Sequence, residues 1–289
     1  MLIPRSIRAV AKSVIDPRII KMVRRVFCRT LPALNIYRSL LSNKDGLEIG
    51  GPTYLFTDEG QLPIYGVVGS LNNCLFSSQC IWAGQVPVGA KFEFHPKSKS
   101  GELIISEASN LKCIGNSTYE LILASHCLEH LANPLRALAE WKRVVSEDGL
   151  LLLILPHKER TFDWRRPTTS LAHMISDFER GVGEDDVTHL EEILQLHDLE
   201  RDKAAGTPEQ FRQRCLQNFE NRAIHHHVFS TPTAVELIDL AGFKIMRVDN
   251  AKPYHIIILA RSSLAKPDNT EFLSPNAEYR RRSPFPGDW

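Results

Sequence analysis

The sequence predicts an α/β fold, an open and mostly parallel sheet of about seven strands with helices on both faces and a helical lid inserted late in the chain. Three observations carry this. Gly46-Leu47-Glu48-Ile49-Gly50-Gly51-Pro52 is a short apolar run that breaks at two glycines and a proline, the pattern of a buried strand ending in a tight loop. Leu150 to Leu155 is apolar on both faces, as in the central strand of a sheet covered on both sides. Just before it stands the clearest helix signal in the chain, with Asn133 as N-cap, Pro134 in the first turn, Leu135, Leu138, Trp141 and Val145 on one face, and Gly149 as terminator. Strand, glycine loop, three strands, helix, strand is a Rossmann-like order, which places ligands at the carboxyl ends of the strands.

Composition bounds the function. With 289 residues, 43% of them hydrophobic, the chain can build one large core. A net charge of +1 excludes a nucleic-acid binder that works through its overall field. The charge is uneven, however: residues 1–44 hold ten Lys/Arg against Asp16 alone, so that this segment carries +9. The six cysteines form no C-x-x-C pair and no zinc-like spacing, which fits a reduced, cytoplasmic setting. No apolar run approaches the length of a membrane span.

In chain order, the apolar residues among the arginines of residues 1–44 fall at helical spacing and predict a basic amphipathic extension. Three uses compete: a helix packed on the domain, a helix lying on an anionic membrane surface through residues 1–40, and a cleaved targeting segment. The main domain is expected over residues 45–261. In nucleotide-binding α/β units the residue closing the second strand commonly meets a ribose, and Asn72, closing the run Ile64–Leu71, takes that place, with a turn-forming Asn-Asn as the alternative. Residues 81–101 show no clean period and read as a loop. Leu103–Ile105 is a third strand closed by Ser106-Glu107-Ala108, and Tyr119–Ala124 a fourth closed by Ser125-His126. Farther on, Thr231 as N-cap and Pro232 in the first turn open a helix that ends at Gly242, and Phe243–Val248 and His255–Ala260 read as two closing strands.

Taken together, Glu48-Ile49-Gly50-Gly51-Pro52, Glu107-Ala108, the run Tyr119 to Pro134 containing Ser125-His126-Cys127-Leu128-Glu129-His130, Val144 to Leu150 and Pro156 resemble class I S-adenosylmethionine-dependent methyltransferases of the type-11 small-molecule branch. The resemblance covers about residues 45–157. It implies S-adenosylmethionine as cofactor, with Gly50, Gly51 and Pro52 lining its methionine end and Glu48 reaching its amino group directly or through water. It places Asn72 at the ribose, Glu107 and Ala108 at the adenine edge, and Ser125 and His126 beneath the sulfonium. Gly51-Pro52 departs from the usual Gly-x-Gly loop, and Asn72 from the usual acid. Methyl transfer needs a base only when the acceptor must lose a proton, and His126 and His130 are the nearby candidates, although the resemblance makes His130 a routine part of a helix start. A nicotinamide oxidoreductase shares the strand and glycine loop but would need the third glycine of G-x-G-x-x-G; a non-catalytic protein of the same fold is the other alternative.

Residues 158–227 are too long for a connection, and their helix-like stretches predict a lid over the acceptor. Within it Arg165-Arg166 and His225-His226-His227 are donors suited to an anionic or hydroxylated acceptor, which makes Arg166 and His227 candidate catalytic groups. The expected partner is a small-molecule, sugar or lipid-linked acceptor. No metal is expected, because no tight pair such as H-x-x-x-H occurs within residues 158–227. Residues 262–289, with four prolines and no apolar period, are expected to be disordered.

Overall fold

The computed structural model describes residues 30–80, 84–87, 89–96 and 98–289. The first helix among the described residues, α1 (Leu34–Leu41), precedes strand β1 (Asp45–Ile49). Strand β2 (Ser70–Leu75), the short hairpin β3 (Gln79–Cys80) and β4 (Gly84–Gln85), β5 (Lys91–Phe92), β6 (Gly101–Ile105) and β7 (Tyr119–Ser125) follow. Helix α2 (Pro134–Val144) then leads directly into β8 (Val145–Pro156). An insertion holds α3 (Leu171–Arg180), α4 (Leu190–Leu196), α5 (Pro208–Leu216) and α6 (Asn218–Asn221). The domain closes with α7 (Thr231–Leu240), β9 (Phe243–Ala251) and β10 (His255–Ser262), and the tail adds α8 (Thr270–Leu273) and α9 (Glu278–Arg282).

Eight strands form one sheet in the order β5-β6-β2-β1-β7-β8-β10-β9. From β6 to β8 neighbours run parallel, while β10 lies antiparallel to both β8 and β9, and β5 is an antiparallel edge. The chain leaves β1 toward β2 and returns on its other side as β7, so the switch point, where ligands of such sheets bind, lies beyond the carboxyl ends of β1 and β7. One face is covered by α2 and α7, which bury Trp141, Leu138, Val235 and Ile238. The other is covered by α1 and the irregular segment 53–68, through Tyr37, Phe56, Leu62 and Ile64. As expected, Asn133 caps α2, accepting from the Arg136 N–H at 3.0 Å. The cap of α7 is Ser230 rather than Thr231.

The second strand differs from expectation. Ile64, Tyr65 and Val68 are buried from irregular chain, and the strand begins only at Ser70 and runs through the Asn-Asn pair. The asparagines do not break it, because their amides are satisfied across the sheet: Asn72 donates to the Tyr119 hydroxyl (2.9 Å) and accepts from the Glu102 N–H (2.8 Å), and Asn73 is paired twice with Gly51. Of the basic extension, α1 packs on the core and buries Tyr37 and Leu41, with the Tyr37 hydroxyl on Asp249 at 2.8 Å. Residues 1–29, which carry most of the charge and of the proposed membrane contact, lie outside the described residues.

The expectation of a disordered tail is corrected. Asn269 donates to the Phe243 carbonyl and accepts from the Ile245 N–H, Phe285 is fully buried and stacks on His157 at 4.1 Å, and Asp288 accepts hydrogen bonds from Ser283 and Thr231 and pairs with His157 at 3.0 Å. Single anchors order this segment, which is why no apolar period announces it. Phe285→Ala should therefore cost about 3 kcal/mol, in the range for truncating a buried aromatic ring. Urea unfolding will read this, and a loss below about 0.5 kcal/mol, the size of an ordinary surface substitution, would show that the tail adheres only loosely.

Candidate cofactor and acceptor site

At the end of β1 the backbone turns through Gly50, whose φ of +78° lies in the left-handed region that glycine enters without penalty. Gly51 is held from the neighbouring strand, its N–H donating to Asn73 Oδ1 at 3.0 Å and its carbonyl accepting from Asn73 Nδ2 at 2.9 Å. Beneath it lies Glu48, so close that a Cβ on Gly51 would stand 2.3 Å from the carboxyl carbon. No side chain fits there.

Glu48 is completely buried, which differs from the expectation that it reaches a ligand. Its carboxyl accepts from the Tyr65 hydroxyl at 2.7 and 2.8 Å and from the Thr53 N–H at 3.1 Å, and so braces the turn from below. Burial raises its pKa from 4.5 to about 7, with the Tyr65 and Thr53 donors opposing. Pro52 is exposed beside the turn.

The other strand ends meet this turn. Ile49 pairs with Ala124, so the next residues, Gly50 and Ser125, lie side by side. Ser125 is buried, and its Oγ has no hydrogen-bond partner among the described residues. His126 follows with φ +52°, a conformation that costs a non-glycine residue energy and that clusters at functional sites. Its Nε2 lies 3.0 Å from His255 Nδ1, its ring packs edge-on against Tyr254, and its Nδ1 lies 3.5 Å from Glu129 Oε1. Glu129 is fully buried, and neither carboxylate oxygen accepts a well-aligned hydrogen bond among the described residues. Burial pushes its carboxyl up, but the imidazoles of His126, His130 and His225 around it prevail and hold it below the ordinary value.

His130 closes a 3-10 turn (Leu128–His130) ahead of α2; its Nδ1 donates to the Ile224 carbonyl at 2.8 Å, and burial and His225 push its pKa down to about 4. Asn72 does not lie at the ribose end. It sits within β2, engaged as described, and the carboxyl end of that strand is Leu75-Phe76. Ala108 is buried, its carbonyl accepting from Trp141 Nε1 at 3.0 Å. Glu107 pairs through Oε1 with Arg222 at 2.6 Å, and its Oε2 is buried without a partner among the described residues.

Arg166 is corrected as an acceptor donor. It is buried, with its guanidinium spent on Asp163 (3.0 Å), Glu192 (2.7 Å) and the His225 and His226 carbonyls (2.8 and 3.3 Å), and it acts as an internal strut of the insertion. His227 is buried too and turns from the strand ends toward Asp177, 3.9 Å away, and His173. Three residues near the strand ends escaped the sequence reading. Arg222, from the end of α6, lies over the Phe76 ring at 5.1 Å and binds Glu107, so the insertion reaches into the cleft beyond β2 and β6. Tyr254 and His255 open an antiparallel strand, so they stand beside the carboxyl end of β8, where His255 pairs with Pro156. The available signal was that antiparallel geometry of the last strand.

A sequence profile described as a methyltransferase domain matches residues 24–248. The chain belongs to that methyltransferase family. As a class I methyltransferase it takes S-adenosylmethionine as cofactor, which sets the nicotinamide alternative aside. No curated protein matches the chain. Among solved structures it is similar to a SAM-dependent methyltransferase from Methanosarcina mazei (18% identity, TM-score 0.46, covering 82% of this chain and 100% of that one). It is similar also to one from Aquifex aeolicus (15%, 0.42, 86% and 99%) and to the trans-methyltransferase CalH in complex with SAH (14%, 0.43, 88% and 62%).

The methyltransferase's glycine turn makes a pH prediction. Because the Glu48 pKa is raised in the folded state, the stability this residue allows is fully present below pH 4.5 and is lost as pH rises through about 7. The stability difference between wild type and Glu48→Gln should move in favour of the glutamine variant by about 3 kcal/mol between pH 4.5 and pH 8, the worth of a shift of that size. Urea unfolding at the two pH values will measure it; a difference independent of pH would mean that the carboxyl ionises as freely when folded as when unfolded.

Proposed function

We propose that this methyltransferase transfers the methyl group of S-adenosylmethionine to a hydroxyl of a polar small molecule, sugar or lipid-linked sugar, with His126 receiving the proton. The carrying observation is the cluster of His126, Glu129, Tyr254 and His255 at the ends of β7, β8 and β10, where a buried carboxylate lies 3.5 Å behind an imidazole held at positive φ. So polar a lining favours a hydroxylated acceptor over an apolar one. The lipid-linked form of this reading draws on the +9 charge of residues 1–44, which suits an anionic membrane surface, and free Cys74, Cys113, Cys127 and Cys215 suit a cytoplasmic setting. No described helix is long and apolar enough to cross a membrane.

The residues present fit the cofactor. Gly50 and Gly51 give a turn without side chains, and Ser125 Oγ and Glu107 Oε2 are buried polar atoms without partners among the described residues, at the strand ends where a nucleoside would bind. We assign Gly50, Gly51 and Ser125 to the amino-acid end and Glu107 with Ala108 to the base. Glu48 supports the turn from within, and we do not assign Asn72, Arg166 or His227 to the reaction. When bound, the cofactor supplies a methyl group already activated on sulfonium. The chain must then position the acceptor, exclude water and take up a proton.

His126 forms no part of the glycine turn. His126→Ala should accordingly keep SAH affinity within about 2-fold while methyl transfer falls at least ~10-fold, equivalent to about 1.4 kcal/mol of transition-state stabilisation. Calorimetry with SAH and transfer of labelled methyl to sugar and lipid-linked sugar pools will test the two halves. Unchanged transfer would remove the imidazole from the proton's path, and stabilisation of the protein by NAD but by neither SAM nor SAH would overturn the cofactor.

A further inference from the structure

Away from the strand ends, the insertion gathers a second set of polar groups that methyl transfer does not use. Helix α3 presents His173 and Asp177 one turn apart on the same face. His189 stands at the N-terminus of α4, and His227 lies in the segment that enters α7. One ligating atom from each of the four falls within 4.8 Å of all the others. His173 Nε2 lies 3.1 Å from His189 Nε2 and 3.1 Å from Asp177 Oδ2. Ligands bound to one tetrahedral zinc ion at 2.0–2.1 Å lie about 3.3 Å apart, so these two separations are close to those of a coordination shell, while His227 Nε2, 3.9 Å from Asp177 Oδ2, would have to move in slightly.

From this convergence we infer that His173, Asp177, His189 and His227 form a site for one divalent transition-metal ion of the zinc class, which staples the insertion to the methyltransferase core.

The hydrogen-bonding pattern argues for an ion over a plain polar cluster. Asp177 Oδ2 is buried and accepts no well-aligned hydrogen bond among the described residues, and His227 Nδ1 is likewise without a partner. Such atoms are costly to bury unless something satisfies them, and a cation would satisfy the converging lone pairs together. The carboxylate is already oriented for the task, since Arg180 holds its other oxygen at 2.7 Å and Asn133 donates to the Asp177 backbone carbonyl at 2.9 Å, the kind of outer support that metal ligands have. His226 turns the other way, to Asn218 at 3.1 Å, and is no part of the set.

The donor set names the class of ion. Three imidazoles and one carboxylate suit zinc and its divalent neighbours, whereas magnesium and calcium prefer oxygen alone and copper(I) prefers sulfur. His173, whose side chain is 36% exposed, gives the ion a way in. The consequence is mechanical: the ion joins α3, the start of α4 and the residues just before Phe229, which bridges to His157 at the end of β8.

The test uses the full chain without a histidine tag, stripped by chelator, dialysed, and titrated with Zn²⁺ and separately with Co²⁺. The expected result is one equivalent per chain by elemental analysis, ligand-field bands of His/carboxylate-bound Co²⁺, and a higher unfolding midpoint in the loaded protein. His189→Ala, a half-buried position with little packing to lose, and Asp177→Asn should abolish the stoichiometric ion. Arg180→Ala should weaken it by about 10-fold, as loss of an outer partner does. SAH binding by each variant, read separately, reports that the fold is intact. Less than a small fraction of an equivalent in wild type, or a full equivalent retained in both folded ligand variants, would overturn the site. Neither readout depends on methyl transfer.

Discussion

The arrangement depends on the turn at the end of β1. Three groups fix it: Asn73, which grips both polar atoms of Gly51 from the next strand, and Glu48 with Tyr65, which fill the space under it. A buried carboxyl is an expensive brace. It is accepted here because Thr53 and Tyr65 supply donors and because Gly51 leaves room for nothing else. Once that turn is set, the register of β1 with β7 puts Ser125 and His126 beside it, and the register of β8 with β10 adds His255. The side chains gathered at the strand ends are thus positioned by backbone pairing, and their order follows from the sheet.

The parts of this design that depend on local pattern could be read in the sequence. The glycine turn, the capped start of the helix before β8, the central apolar strand and the closing antiparallel pair all appear in the predicted order, although that helix ends at Val144 and β8 already begins at Val145, ahead of Gly149. The ordered motifs also carried the family. What escaped was non-local satisfaction of polar groups. An Asn-Asn pair reads as a strand end unless Tyr119, Glu102 and Gly51 are known to complete its amides. The tail reads as disordered unless Asn269, Phe285 and Asp288 are known to have sockets.

The insertion illustrates the same limit in the candidate site. A run of three histidines and an arginine pair looked like donors aimed at one acceptor. In the fold the three imidazoles diverge: His225 pairs with Asp163 at 2.5 Å, His226 with Asn218, and His227 joins His173 and Asp177. The chain bends at His226 and His227, which sends neighbouring side chains in different directions. The insertion has a small core of its own around Ile193, Phe211 and Cys215, and Arg222 ties it to Glu107 at the edge of the cofactor cleft. It is therefore a cap with some packing of its own, joined to the main domain both by α3, whose Met174 is buried in the main core, and by polar contacts.

The central claim is that the strand ends of β1, β2, β6 and β7 hold the cofactor. Hydrogen–deuterium exchange with and without SAH tests it most directly, because backbone protection maps contact without an acceptor and without mutation. The account predicts that protection concentrates in the turn at residues 49–53, after β2 at 75–77, after β6 at 106–108 and at 125–127. Protection confined to the insertion or to the tail, with these four segments unchanged, would contradict it.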